Sequence, residues 1–203
     1  MKRSEAIQCF VKHRKDEIVI CGVGNTHVEM YHIGHQDTNL YSIQLGYPLP
    51  VGLGLALAVP SQRIVVMEGD GSILLDLGIL ATIANLEVRN LTSVIFDNAS
   101  YEGGGSDSSA TSGKTNLALI AKGAGISNAV EVSSLGEFEL VLKRALASTE
   151  YFFIVAKVEA EKRSYPPLPF DKTTNAVLFQ RALALKGLTS GYHTAAARHY
   201  ELP

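Results

Sequence analysis

Two apolar, β-branched runs constrain this chain more than anything else in it. The first reads Ile64-Val65-Val66-Met67-Glu68-Gly69-Asp70-Gly71-Ser72, and the second Leu91-Thr92-Ser93-Val94-Ile95-Phe96-Asp97-Asn98. Each is too uniformly apolar for a strand with one wet face, which marks both as buried parallel strands. The segment between them is rich in Leu, Ile and Ala and long enough for the helical crossover that parallel neighbours require. Open α/β sheets bind ligands at the carboxyl edge of their strands. There the two runs deliver Asp70 and Asn98 side by side, hard oxygen donors of the kind Mg²⁺ takes together with phosphate oxygens and water. Gly69 and Gly71 let backbone N–H groups come close to a phosphate, and the helix that starts at Ser72 points its positive end there.

The rest of the chain repeats this alternation. Ala6, Ile7, Phe10 and Val11 recur at helical spacing after Ser4; residues 17–21 form a buried strand; Gly22-Val23-Gly24-Asn25-Thr26 is a turn into the next helix. Further strands are expected at 127–132 and 151–158, and helices at 117–122 and 135–147. The predicted fold class is therefore α/β: a three-layer, doubly wound, mostly parallel sheet with helices on both faces. The crossover helix, expected as one piece over 73–86, is apolar on nearly every side and should be central, with Asp76 favouring its dipole. Residues 102–114 are small, polar and glycine-rich, with nothing to pack; coming directly after Asn98, they read as a mobile lid or substrate loop. The α/β domain is expected over 1–165. A Pro-rich exit, a short helix at 174–185 and a tail holding His193, Arg198 and His199 fill 166–203.

A net charge of −2 leaves no basic field for nucleic acid. No apolar stretch approaches the length of a membrane span, and the N-terminus runs into an amphipathic helix rather than a signal core, so a cytoplasmic protein is expected. Cys9 and Cys21 show no ligand spacing and read as buried apolar side chains. His27, His32 and His35 read as surface or cleft histidines, His27 being placed nearest the glycine turn.

With Gly-Asp-Gly, helix, strand and Asp97-Asn98 in register, the stretch resembles the thiamine-diphosphate motif. From about 5 to 185 the chain resembles the diphosphate-binding part of thiamine-diphosphate-dependent 2-oxo acid decarboxylases, most of all the β subunit of sulfopyruvate decarboxylase and the C-terminal portion of phosphonopyruvate decarboxylase. The resemblance implies Mg²⁺ held by the side chains of Asp70 and Asn98 and the carbonyl of Ser100. It implies a diphosphate seated on Gly24, Asn25 and Thr26, with Gly69, Gly71, Ser72 and Tyr101 also around the cofactor. Leu45, just before Gly46, matches the apolar wedge that bends the cofactor, and Ile43 matches the residue whose carbonyl meets the aminopyrimidine. Two departures stand out: Ile43-Gln44-Leu45-Gly46 replaces a Gly-Ser-Met-Gly type of sequence, and Gly103-Gly104-Gly105-Ser106-Asp107 replaces a Gly-Gly-Gln-Pro-Thr type. An anionic substrate group would want a cation near that loop, where Lys114 is the candidate.

In the family the activating glutamate comes from a pyrimidine-binding domain across a subunit interface. The 203 residues leave that domain no room. The chain is thus expected to be half of an enzyme, with its own catalytic residue unknown, completed by a pyrimidine-domain α subunit and acting on a small 2-oxo acid. Two alternatives share the motif: an acetolactate-synthase-like carboligase subunit, and a non-catalytic regulatory or binding subunit, against which the intact Asp70 and Asn98 argue.

Overall fold

Alternate residues of the central strands point to opposite faces of one sheet, and both faces are dry. Ile18 and Ile20 of β1 (Ile18–Gly22) and Ile64 and Val66 of β3 (Ile64–Gly69) enter one apolar cluster; Val19, Cys21, Val65 and Met67 enter the other. A sheet buried on both faces needs helices on both. The computed structural model describes residues 1–160 and 165–188, and it supplies them. On one face lie α1 (Arg3–His13), α2 (Asn25–Gly34) and α7 (Leu135–Ala147). On the other lie α3 (Pro48–Ala58), α4 (Asp70–Ile73), α5 (Gly78–Leu86), α6 (Leu117–Gly123) and α8 (Lys172–Leu185).

With β2 (Asn39–Ile43), β4 (Leu91–Asp97), β7 (Ala129–Val132) and β8 (Phe152–Lys157), the six-stranded sheet has the order β2-β1-β3-β4-β8-β7 and is parallel throughout. The predicted three-layer fold is what forms. The chain leaves β1 toward β2 on one side and reaches β3 on the other, so a topological switch point opens at their carboxyl ends. In the β3–β4 register Gly69 pairs with Phe96, which sets Asp70 directly beside Asp97.

Three expectations change. The crossover helix is broken: residues 74–77 separate α4 from α5, and only Ile73, Leu80 and Ile83 of the segment's large side chains are buried, while Leu75 is 61% exposed. Asp76 sits in that break, two residues before α5. The glycine-rich stretch does find something to pack: β5 (Ser100–Tyr101) and β6 (Asp107–Ser108) pair antiparallel, and Ser109 and Thr111 are buried. Cys9 and His13, one helical turn apart on α1, do share a face. With Glu139 of α7 their ligand atoms lie within 4.8 Å of one another, although Lys143 and His13 already hold that carboxylate at 2.8 Å each. Both cysteines are free and buried, as expected.

The last helix is tied to the sheet edge. Asn175 accepts from the Tyr41 N–H at 2.7 Å and donates to the Asn39 carbonyl at 3.3 Å, while Phe179 and Leu183 join the core. His32 approaches the Pro166 carbonyl at 3.1 Å and stacks on Tyr165, and His35 bonds the Tyr41 hydroxyl at 2.9 Å. His193, Arg198 and His199 lie outside the described residues. No helix among the described residues is long and apolar enough to cross a membrane.

Candidate cofactor site

Every strand that ends at the switch point contributes to one cavity of about 240 Å³. The β1–α2 turn brings Gly24, Asn25 and Thr26; the β2–α3 turn brings Gln44 and Leu45; β3 brings Gly69, Asp70, Gly71 and Ser72; β4 and the hairpin bring Phe96, Asn98, Ser100, Tyr101 and Glu102. Ten of these residues were assigned cofactor contacts from the sequence together with Leu45. Ile43 stays outside the lining, packed against the core, and its carbonyl accepts from the Val23 N–H at 2.8 Å. Lys114 is exposed and also outside the lining.

The local geometry explains why these residue types are needed. Gly24 has φ +103°, a conformation that side chains disfavour, and it caps α2 so that the helix start faces the cavity. A Cβ on Gly71 would sit 2.4 Å from the Tyr101 ring, so the backbone there is open only to glycine. Ala99 is held at φ +58° between the two donors of its turn. Asp97 Oδ1 accepts from the Ala99 N–H at 3.0 Å, and Asn98 Oδ1 accepts from the Ser100 N–H at 3.1 Å.

Asp70 is 1% exposed, and burial pushes its carboxyl above the usual range; the Ser109 and Thr111 hydroxyls oppose that shift, and neighbouring Asp97 adds to it. Asp97 is relieved by Lys157 at 2.7 Å, whereas no cation among the described residues pairs with Asp70. A buried carboxylate that carries hydroxyl partners and a like-charged neighbour, beside the Asn98 amide oxygen and the Ser100 backbone, is a donor set that fits a hard divalent cation. Below it, burial pushes Glu68 up to about 8 against a hydroxyl bond from Ser72, and among the described residues Glu68 Oε1 has no hydrogen-bond partner. Ser72 also accepts from the Gly46 N–H at 3.1 Å, linking the β3–α4 turn to the turn that carries Leu45.

Arg3, Glu29, Glu102, Ser109 and Thr111, at or behind the cavity, were given no site role from the sequence. Arg3, on α1, is buried and paired with Glu29 at 2.9 Å and with Glu102 at 3.2 Å; Asn25 also donates to Glu102, at 2.9 Å. Ser109 and Thr111 reach Asp70 from the hairpin. No local pattern marks any of them, because their partners are distant in sequence.

The family of this site follows from residues 21–156, which match the C-terminal TPP-binding domain of thiamine pyrophosphate enzymes. The chain belongs to that family. It is 36% identical over 158 residues to the sulfopyruvate decarboxylase subunit beta of Methanocaldococcus jannaschii, covering 77% of this chain and 83% of the relative. It is 31% identical over 135 residues to the phosphonopyruvate decarboxylase of Streptomyces viridochromogenes, covering 66% of this chain but only 34% of that protein. In three dimensions it resembles benzoylformate decarboxylase from Polynucleobacter necessarius with a TM-score of 0.66 at 19% identity, over 83% of this chain and 34% of that one. This family member thus spans about a third of that solved enzyme. The match runs over most of the sheet, from β1 to β8, and includes the strand ends that line the cavity.

Proposed function

We propose that this chain is the diphosphate-binding subunit of a thiamine-diphosphate- and Mg²⁺-dependent decarboxylase. Its substrate is a 2-oxo acid with a second anionic group, such as 3-sulfopyruvate or 3-phosphonopyruvate, and a separate pyrimidine-domain α subunit completes the site. The convergence of Asp70, Asn98 and Ser100 with the Gly24–Thr26 turn in one cavity carries the reading. The names of the relatives support the substrate class and the division into subunits.

In this reading the bound cofactor supplies a nucleophilic carbon and a sink for the electron pair that the departing CO₂ leaves behind. The chain's own residues hold and shape it. Asp70 and Asn98 bind the ion through side-chain oxygens and Ser100 through its carbonyl, while the N–H groups at the start of α2 and the Asn25 and Thr26 side chains hold the diphosphate. Leu45, 38% exposed at the cavity rim, is the apolar wedge under the bent cofactor. Among the described residues the carboxylates of the cavity wall are Asp70 and Glu102, and Glu102 lies beside Asn25 at the proposed diphosphate end; in this reading the glutamate that activates the far ring belongs to the partner.

The test is CO₂ release from 3-sulfopyruvate, 3-phosphonopyruvate and pyruvate by the two subunits together. Turnover of an anionic 2-oxo acid should require both Mg²⁺ and thiamine diphosphate. Asp70→Ala should lower cofactor affinity by more than about 100-fold, beyond what outer partners of a metal contribute, with the fold retained. Unchanged cofactor affinity in Asp70→Ala, or in excess chelator, contradicts the metal assignment.

A further inference from the structure

Residues 109–111 fasten together the two strand ends that carry the proposed ion ligands. Ser109 Oγ donates to Asp70 Oδ2 at 2.5 Å. Thr111 Oγ1 lies 3.1 Å from the same oxygen and 2.7 Å from Asp97 Oδ1. A hydroxyl carries one proton, so Thr111 bridges the two carboxylates and serves one of them at a time, while it can also bond the Ser109 hydroxyl at 2.9 Å. The Ser109 N–H donates to the Ala99 carbonyl at 3.0 Å, which braces the left-handed turn between Asn98 and Ser100. Ser109 is 3% exposed and Thr111 8%.

Burying two hydroxyls is costly unless each is bonded, and here the bonds go to the carboxylates of the site. The segment touches Asp70 at the end of β3, Asp97 at the end of β4, and the turn that follows. It therefore sets how far the Asp70 side chain stands from Asn98 and Ser100. A carboxylate with one oxygen held from behind has lost the torsional freedom that an ion would otherwise have to restrict. Among the described residues the side-chain donors to this carboxylate reach Oδ2, and the Gly71 N–H also bonds it.

We propose that the Ser109 and Thr111 hydroxyls are positioning residues of the metal site: they fix the Asp70 carboxylate through Oδ2 and lock the ends of β3 and β4 into ligand spacing. The glycine-rich stretch is then a built part of the ion site as well as a cover for it. This inference rests on the proposed Mg²⁺–thiamine diphosphate reading.

The test uses the two-subunit complex with saturating thiamine diphosphate, and follows Mn²⁺ binding by water-proton relaxation and Mg²⁺ by competition. Tm is recorded in parallel without metal. Ser109→Ala combined with Thr111→Val should weaken metal binding about 10–100-fold, the range for removing the hydrogen-bond partner of a ligand. Thr111→Ser, which keeps the hydroxyl, should bind close to wild type. Unchanged metal affinity in the double variant overturns the proposal. So does a loss that only follows the fall in Tm and is shared by Thr111→Ser, since a purely structural role predicts that pattern. Failure of the wild-type complex to bind metal in a cofactor-dependent way overturns the metal reading itself and this inference with it, and so is told apart from the variant result.

Discussion

Leu45 shows how a single side chain can be misjudged from one kind of information. An isolated Leu before a glycine is most simply core, yet here it is 38% exposed and lines the cavity with Gln44. If it bends the cofactor, Leu45→Ala should reduce turnover by considerably more than it reduces thiamine diphosphate affinity, because the diphosphate and ion contacts remain. Calorimetry and steady-state rates on the same preparation separate the two effects. Equal losses in binding and turnover would return Leu45 to an ordinary packing role. Asp70, Asn98 and the glycines beside them were legible because backbone geometry and ligand chemistry both restrict those positions to few residue types. Ser109 and Thr111 were not, because hydroxyls 39 and 41 residues from Asp70 leave no pattern along the chain.

At the scale of elements, five of the six sheet strands followed from β-branched apolar runs, whereas the edge strand β2, with Asn39 and Ser42 among its five residues, was not expected. The crossover helix was misread for a physical reason: a segment apolar on every side suggests burial, but Leu74 and Leu77 at the break are only partly buried against the core, and Leu75 and Leu86 remain exposed. Helix α3 offers a clean pair of tests. A Cβ on Gly52 would meet Val66 Cγ2 at 2.2 Å, whereas nothing lies within 4 Å of one on Gly54. Gly54→Ala should stabilise by up to about 1 kcal/mol through helix propensity. Gly52→Ala gains the same propensity but overpacks the face against β3, at a cost of about 1–3 kcal/mol, so it should be the less stable of the two by thermal or urea unfolding. Gly52→Ala at or above the stability of Gly54→Ala would contradict the packing described.

The contact between α1 and α7 carries a pH signature. Hydrogen bonds from Lys143 and His13 hold the Glu139 carboxylate down at about 2. A depressed folded-state value means that the contribution is present above the ordinary carboxylate value near 4.5 and is lost as pH falls toward 2. Wild type should therefore exceed Glu139→Gln in Tm at pH 7, and the gap should close between about pH 4.5 and 2. A gap that stays constant across this window would show that the ion pair adds nothing to folding.

For the whole molecule, the sheet order places the cavity at the switch point between β1 and β3, and the family match covers that region. The cavity gathers the proposed ion and diphosphate donors from four strand ends. The central claim is that this chain supplies one half of a composite site. The most direct measurement is CO₂ release from 3-sulfopyruvate, 3-phosphonopyruvate and pyruvate, with thiamine diphosphate and Mg²⁺ saturating, by this chain alone and after addition of a separately encoded pyrimidine-domain subunit. The account predicts no turnover by the chain alone, even as a homo-oligomer, and turnover of an anionic 2-oxo acid once the partner is present. Robust decarboxylation by the isolated chain would contradict it.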